Sequence, residues 1–111
     1  MNAESRFSIA EEPGDDDTIK ITVEGELNVQ TSPQLKKSIT RSIATGVKRL
    51  HVALDGVERI DSSGVATLIE GLKWSRSSGG RFVISGLQQE VHDLIRLSKL
   101  ENEFDIVDAD S

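Results

Sequence analysis

Several residue types that build chemical sites are absent or rare in this sequence. Its 111 residues contain no cysteine and only two histidines, His51 and His92. Without cysteine the chain can form no disulfide, no thiolate metal site and no cysteine nucleophile. His51 falls in a predicted strand and His92 in a predicted helix, where a single histidine is more often a packed or surface residue than a catalytic base. These absences weigh against metal binding and nucleophilic catalysis.

Long apolar runs and a surplus of basic residues are also missing. No stretch approaches the roughly 20 apolar residues that a membrane-spanning helix needs, and residues 1–6 lack the basic-then-apolar layout of a signal peptide. Lys and Arg total 13 against 19 Asp and Glu, a net charge of −6. A nucleic-acid surface needs clustered basic residues. We therefore expect a cytoplasmic protein with no nucleic-acid partner and no direct membrane insertion.

Motifs that carry catalysis are not found. There is no Gly-rich phosphate loop with its lysine, no Gly-x-Ser-x-Gly elbow, and no set of nucleophile, base and oxyanion donors. The acidic run at residues 11–17 lies at a Pro-Gly turn without a neighbouring histidine, so a solvated loop is expected there. We expect no enzyme activity, no catalytic residues, no metal ligands and no cofactor.

The first half of the chain predicts a hairpin and a helix. Residues 7–9 and 19–23 alternate apolar with polar side chains and predict two strands. Residues 25–28 are expected to break the second strand. A helix follows, because residues 31–33, Thr-Ser-Pro, suit a capped first turn. Gly46 ends this helix, and its inward stripe comprises Leu35, Ile39 and Ile43.

The second half predicts alternating strands and helices. Residues 50–54 are almost all apolar, which is typical of a central strand with parallel neighbours. After a loop containing Val57 and Ile60, we expect a helix to about Ser77, a strand at 81–85, a helix at 89–97 and an edge strand at 104–107. The predicted inward residues of the two helices are Val65, Leu68, Ile69, Leu72, Val91, Leu94 and Ile95.

This order predicts an α/β fold with the pattern ββαβαβαβ. The sheet is mixed and has four to five strands. Right-handed crossovers place the helices mainly on one face of the sheet. The length suits one domain spanning residues 1–111, with a core at about residues 6–107.

The segment Asp61-Ser62-Ser63-Gly64 is where a functional site is most plausible on chemical grounds. It leads from a central strand to a helix, so Asp61 or Ser62 is a good N-cap, and the segment can be merely a capped helix start. A helix N-terminus also favours phosphate, because it has free N–H groups and partial positive charge. A phosphoserine there would change the charge that a docked partner meets.

Three segments together resemble one known family. Residues 57–69, VERIDSSGVATLI, resemble the central motif of STAS domains, the family that includes bacterial anti-sigma factor antagonists. Residues 25–28, Gly-Glu-Leu-Asn, resemble the family's earlier Gly-Glu-Leu-Asp element, and Thr31 keeps a threonine that often follows it. Residues 86–97, with Leu100 and Phe104, fit the closing helix and strand. The resemblance spans most of the chain and implies a STAS-type fold.

The resemblance implies a phosphorylation switch. In such antagonists, an anti-sigma factor that is also a serine kinase phosphorylates the first serine after the aspartate, which here is Ser62. The unphosphorylated form binds the anti-sigma factor and frees the sigma factor, and a phosphatase resets the switch. Asp61 and Ser63 would flank the phosphoacceptor, and Gly64 would let the partner approach the backbone closely. The helix from Ser63 onward would supply much of the docking surface, with Trp74 either on that surface or at the edge of the core.

One position departs from the family pattern. Asn28 stands where the family usually has an aspartate that lies near the phosphoacceptor and the partner. Asparagine keeps the shape and some hydrogen bonding but loses the charge. Its effect on recognition by the kinase, the identity of the partners and the oligomeric state are not predicted by the sequence.

Two other functions fit the same fold. One is a STAS subunit of an ABC-type lipid-transport complex, which would dock on the ATPase without a phosphorylation cycle. The other is a scaffold protein of a stress-sensing assembly, although such proteins usually carry an additional sensor domain.

Overall fold

The computed structural model describes residues 7–97 and 105–107. Within these residues the elements follow the predicted order. They are β1 (Ser8–Pro13), β2 (Thr18–Leu27), α1 (Ser32–Ala44), β3 (Arg49–Ile60), α2 (Ser62–Ser77), β4 (Arg81–Ser85), α3 (Gln89–Leu97) and β5 (Asp105–Val107).

The strands form one mixed sheet in the order β1-β2-β3-β4-β5. β1 pairs antiparallel with β2, whereas β2, β3, β4 and β5 pair parallel with one another. Each helix therefore connects two adjacent parallel strands. Because such crossovers are right-handed and the strand order never reverses, the helices are brought to the same side of the sheet. The predicted α/β fold is confirmed.

The core lies between one face of the sheet and the helices. Leu50, Val52 and Leu54 are at most 1% exposed, as expected for alternate residues of β3 that point to one face. The same cluster receives side chains from α1, α2 and α3. Its buried members are Ile21, Val23, Leu27, Leu35, Ile39, Leu50, Val52, Leu54, Val57, Val65, Leu68, Leu72, Phe82, Ile84, Val91 and Ile95.

The predicted inward faces of the helices are largely confirmed. Ile43 and Ile69 differ, because they are half-buried and pack at the margin of the core cluster. The side chain of Leu94 and the whole of Phe104 lie outside the described residues.

The two central strands are longer than the sequence predicts. Residues 25–27 continue β2 instead of breaking it, and β3 continues to Ile60 through the segment expected to be a loop. The strands remain paired because irregularities between Thr22 and Glu24 and between Gly25 and Glu26 absorb a mismatch in register. Gly25 has a φ of 106°, which a residue with a side chain rarely adopts. The sequence-based prediction took this glycine for a strand end, and that was wrong.

The first strand also runs further than predicted. It extends to Pro13, whereas the pattern placed only residues 7–9 in a strand. A proline is tolerated here because β1 is an edge strand and needs fewer ladder donors. The acidic turn that follows is exposed, and Asp16 and Asp17 have positive φ angles of 55° and 57°.

No helix in residues 7–97 is long and apolar enough to cross a bilayer.

Candidate functional site

The two sequence segments predicted to form the site meet at the carboxyl ends of β2 and β3. Leu27, the last residue of β2, pairs with Ile60, the last residue of β3. The N–H of Asp61 then donates to the carbonyl of Leu27 at 3.0 Å. Asn28 and Asp61 directly follow the paired residues, so parallel pairing brings these distant parts of the chain side by side.

Asp61 is the N-cap of α2. Its Oδ1 accepts hydrogen bonds from the N–H groups of Ser63, at 2.8 Å, and Gly64, at 3.2 Å. Its backbone is extended, with φ −109° and ψ −173°, as is usual for a capping residue. Of the two cap candidates in the sequence, the structure selects Asp61. The carboxylate also places a negative charge at the positive end of the helix, which is favourable.

Ser62 is the first residue of α2 and its side chain is exposed. Because Asp61 forms the cap, the hydroxyl of Ser62 is not needed to satisfy the helix end. Ser63 is half-buried, and its carbonyl accepts a hydrogen bond from Thr67 Oγ1 at 3.1 Å. The serine that the family resemblance selects is therefore the more accessible of the pair.

Gly64 has an internal packing role. It is buried, and a Cβ added there would lie 2.5 Å from Ile60 Cγ1 and 2.9 Å from Leu27 Cγ. These distances are well inside van der Waals contact. The first turn of α2 can rest on the ends of β2 and β3 only because this residue has no side chain. The structure thus gives Gly64 a packing role that the sequence did not predict, while its part in the approach of a partner stays a prediction.

Asn28 organises the loop between β2 and α1. Its Oδ1 accepts hydrogen bonds from the N–H groups of Gln30, at 2.9 Å, and Thr31, at 3.1 Å. Thr31 Oγ1 accepts from the N–H of Asn28 at 2.8 Å and donates to the carbonyl of Glu26 at 2.8 Å. Thr31 is the N-cap of α1 but makes no side-chain cap bond, because its hydroxyl is engaged in this loop. Neither Thr31 nor Ser32 caps α1 in the way the sequence allowed.

These contacts explain why asparagine is accepted at position 28. The two backbone N–H groups bind Oδ1, an acceptor that an aspartate carboxylate also provides. The loop can therefore form with either residue. An aspartate at position 28 would differ from asparagine by one negative charge, close to the carboxylate-bearing Asp61 at the end of the neighbouring strand.

Trp74 lies further along α2 and is half-buried at the edge of the core. The ammonium of Lys36 on α1 sits 5.7 Å from its ring centroid, within the range of a cation–π contact. Lys36 Nζ is also 3.7 Å from a carboxylate oxygen of Glu70. Trp74 therefore lies at the edge of the core, and its ring also contacts Lys36 at the surface.

Neither histidine belongs to the segments that form this site. His51 is in β3, where its Nε2 is 2.6 Å from Ser85 Oγ, and His92 is in α3. Burial, with help from nearby Lys20 and Arg49, holds the pKa of His51 below its ordinary value. Within residues 7–97 and 105–107, no group of three or more His, Asp or Glu side chains is arranged to hold a metal ion.

Sequence reasoning missed one feature of this region, the exposed side chain of Val29. It is 68% exposed in the loop that Asn28 organises. The signal was available, because Val29 is an apolar residue between Asn28 and Gln30 that belongs to neither a strand alternation nor a helical stripe.

The chain is similar to a known domain family and to several known proteins. The model of the STAS domain matches residues 10–109. An anti-sigma-B factor antagonist of Staphylococcus epidermidis is 28% identical over 87 residues, covering 78% of this chain and 81% of that protein. The crystal structure of an anti-sigma factor antagonist from Mycobacterium paratuberculosis superposes with a TM-score of 0.84 at 23% identity, covering 96% of this chain and 89% of the other.

A second similar structure is the Bacillus cell fate determinant SpoIIAA in its phosphorylated form. It has a TM-score of 0.75 at 20% identity and covers 92% of this chain and 91% of its own. Together with the matched domain model, which spans nearly the whole sequence, these similarities establish that the chain belongs to the STAS domain family.

Proposed function

We propose that this protein is an anti-sigma factor antagonist that is switched by phosphorylation of Ser62. In its unphosphorylated form it binds an anti-sigma factor with serine-kinase activity, and a phosphatase restores that form. The observation that carries the proposal is the position of Ser62, exposed at the first residue of α2 and relieved of capping by Asp61. The antagonist relatives and the phosphorylated SpoIIAA structure support the assignment.

The surface that continues from Ser62 suits a docked protein. Ala66, Glu70 and Lys73 are exposed and follow Ser62 along one side of α2 at helical spacing. Ser63 and Asn28 border this stripe. A partner lying along it would cover the phosphoacceptor, so a change at Ser62 would act directly on binding.

A phosphate on Ser62 would alter charge at the interface without undoing the fold. It adds roughly −1.5 to −2 charges near neutral pH. The N–H donors of Ser63 and Gly64 are already bound to Asp61, so the helix end has little capacity left to neutralise the new charge. The phosphate would therefore face the partner beside an existing carboxylate. Binding should weaken through repulsion and desolvation.

The first test is phosphosite mapping by mass spectrometry on the protein isolated from its own cells, with Ser62→Ala as the control. We expect phosphate at Ser62 that disappears in the variant. The matched variant Ser63→Ala should keep the modification, because Ser63 is half-buried and flanks the acceptor. An unmodified Ser62 under several growth and stress conditions would contradict the switch and favour the alternative of a transporter subunit.

The second test measures binding of purified protein to a serine-kinase anti-sigma factor from the same organism. Ser62→Ala should bind in the presence of ATP, whereas the wild type is phosphorylated and released. Ser62→Asp should weaken binding partially, because it adds less charge than phosphate. Equal affinities of the wild type and Ser62→Asp in a calorimetric titration would count against the mechanism.

A further inference from the structure

Val29 is an exposed apolar residue next to the proposed binding surface. Among the side chains that the structure describes, Val29 is the one large hydrophobic side chain that is exposed, at 68%. Single exposed apolar residues are common on protein surfaces and need no explanation by themselves. Val29 differs from such residues because hydrogen bonds hold its loop and because that loop adjoins the segment containing Ser62.

The loop that carries Val29 is held rigidly. Asn28 Oδ1 binds the N–H groups of Gln30 and Thr31, while Thr31 Oγ1 binds the N–H of Asn28 and the carbonyl of Glu26. These bonds close the loop on both sides of Val29. The side chain is therefore presented to solvent in a fixed place, and little conformational freedom remains to be lost when a partner covers it.

The loop is joined to the phosphoacceptor segment. Leu27, two residues before Val29, accepts a hydrogen bond from the N–H of Asp61, the residue before Ser62. A partner that covers Asp61 and Ser62 thus has Val29 at its border. Such an arrangement, with an apolar side chain beside polar and charged groups, is typical of an interface anchor with a polar rim.

We propose that Val29 is an apolar anchor that enters an apolar pocket of the protein bound at Ser62. The inference rests on the proposed function and names a second contact made by the same partner. The pocket is bordered by hydrogen-bonding groups, because Glu26 and Gln30, which lie within three residues of Val29 in the chain, are exposed and polar. Burying a valine in such a pocket removes apolar surface from water.

This contact predicts that Val29 and Ser62 contribute to binding in different ways. Val29 contributes to affinity whether or not Ser62 carries phosphate, whereas Ser62 supplies the switch. Loss of Val29 should therefore raise the KM of the phosphorylation reaction and leave its kcat unchanged, as expected when binding is weakened equally in the ground and transition states.

The test compares Val29→Ser and Val29→Ile in the full-length chain. The probe is a purified serine-kinase anti-sigma factor from the same organism, and both Kd and the kinetics of Ser62 phosphorylation are measured. We expect Val29→Ser to raise Kd and KM by roughly tenfold, from the lost apolar burial, with kcat preserved. Val29→Ile should keep the wild-type values. Ala44→Ser, an exposed apolar-to-polar change at the far end of α1, is the control and should have no effect.

The outcomes separate this inference from the proposed function. Equal Kd values for the wild type and Val29→Ser, with wild-type binding intact, would overturn the anchor alone. A wild type that neither binds the kinase nor is phosphorylated by it would overturn the proposed function and the anchor with it. Because Val29 is exposed, Val29→Ser should unfold at the wild-type temperature, which thermal denaturation checks.

Discussion

At the scale of single residues, Asp61 and Ser62 are neighbours with separate tasks. The carboxylate of Asp61 holds the first turn of α2, and the hydroxyl of Ser62 stays at the surface. If one residue did both, modification of the serine would loosen the helix that presents it. With two residues, the proposed phosphate on Ser62 would change the charge while Asp61 keeps the helix in place.

Substitutions at these two positions should therefore differ in their effect on stability. Asp61→Ala should lower the free energy of unfolding by about 0.5–2 kcal/mol, the usual effect of losing an N-cap. Ser62→Ala should change it by less than about 0.5 kcal/mol, as for other surface positions. Urea denaturation of both variants checks this. A larger loss in Ser62→Ala than in Asp61→Ala would show that the cap has been assigned to the wrong residue.

Asn28 allows a second pair of substitutions with opposite expectations. Asn28→Asp keeps the acceptor used by Gln30 and Thr31, so the free energy of unfolding should stay within about 0.5 kcal/mol of the wild type. Asn28→Ala removes that acceptor and should lower it by about 0.5–1.5 kcal/mol, because the half-buried N–H of Thr31 loses its partner while the exposed N–H of Gln30 can bind water. Chemical denaturation of the two variants separates the hydrogen bond from the charge. Equal losses in both would mean that the amide nitrogen matters.

At the scale of elements, the parallel pairing of β2 with β3 builds the site. The two strands run side by side to Leu27 and Ile60, so the loops that follow them emerge at the same end of the sheet. Gly64 lets the first turn of α2 settle against the two terminal residues. Ser62 is thus held by two strands and a helix, and the loop carrying Val29 is joined to the same strand ends.

The opposite face of the sheet carries a pH-sensitive contact between β3 and β4. His51 Nε2 lies 2.6 Å from Ser85 Oγ, and burial, then Lys20 and Arg49, lower the pKa of His51 against a smaller opposing effect of Asp55. The unfolded chain therefore takes up this proton at a higher pH than the folded one. Neutral His51 therefore contributes to the free energy of unfolding. This contribution is complete above the ordinary pKa of 6.5, and it is lost as the pH falls from there through the lowered pKa of the folded state.

We expect the urea midpoint of the wild type to fall between about pH 8 and pH 5.5 by more than that of His51→Gln, which cannot titrate in this range. Denaturation curves at the two pH values measure the difference. A fall of the same size in His51→Gln would assign the acid sensitivity to other groups.

At the scale of the whole molecule, the order of the parallel strands places the core on the inner side of α2 and leaves the outer side of α2 at the surface. Sequential parallel strands carry the helices to one face, so that face becomes the core and α2 shields it from outside. The outer side of α2 and the adjoining loop remain available to a partner. A charge added at Ser62 would lie on the exposed surface, so the proposed switch could act without burying it.

Much of this could be predicted from local pattern. The periodicity of residues 62–77 and 89–97 predicted α2 and α3, because the apolar spacing of a helix is a property of neighbouring residues. The central strands were predicted too short, because their ends are stabilised by pairing with each other through irregular register. Gly25 illustrates the difference, since its local signal is that of a strand end, yet the paired strand carries the chain through it.

The sequence by itself determined the order of elements, the apolar faces that form the core, and the position of Ser62 at the start of a helix. These follow from spacing and turn chemistry within a few residues. Only the tertiary structure decided that Asp61 caps α2, that Asn28 lies beside it, that Gly64 serves internal packing and that Val29 is exposed. The cap is a local contact for which the sequence offered two candidates, and the structure chose between them. The other features depend on which distant segments touch, and parallel strand pairing sets those contacts across long separations in the chain.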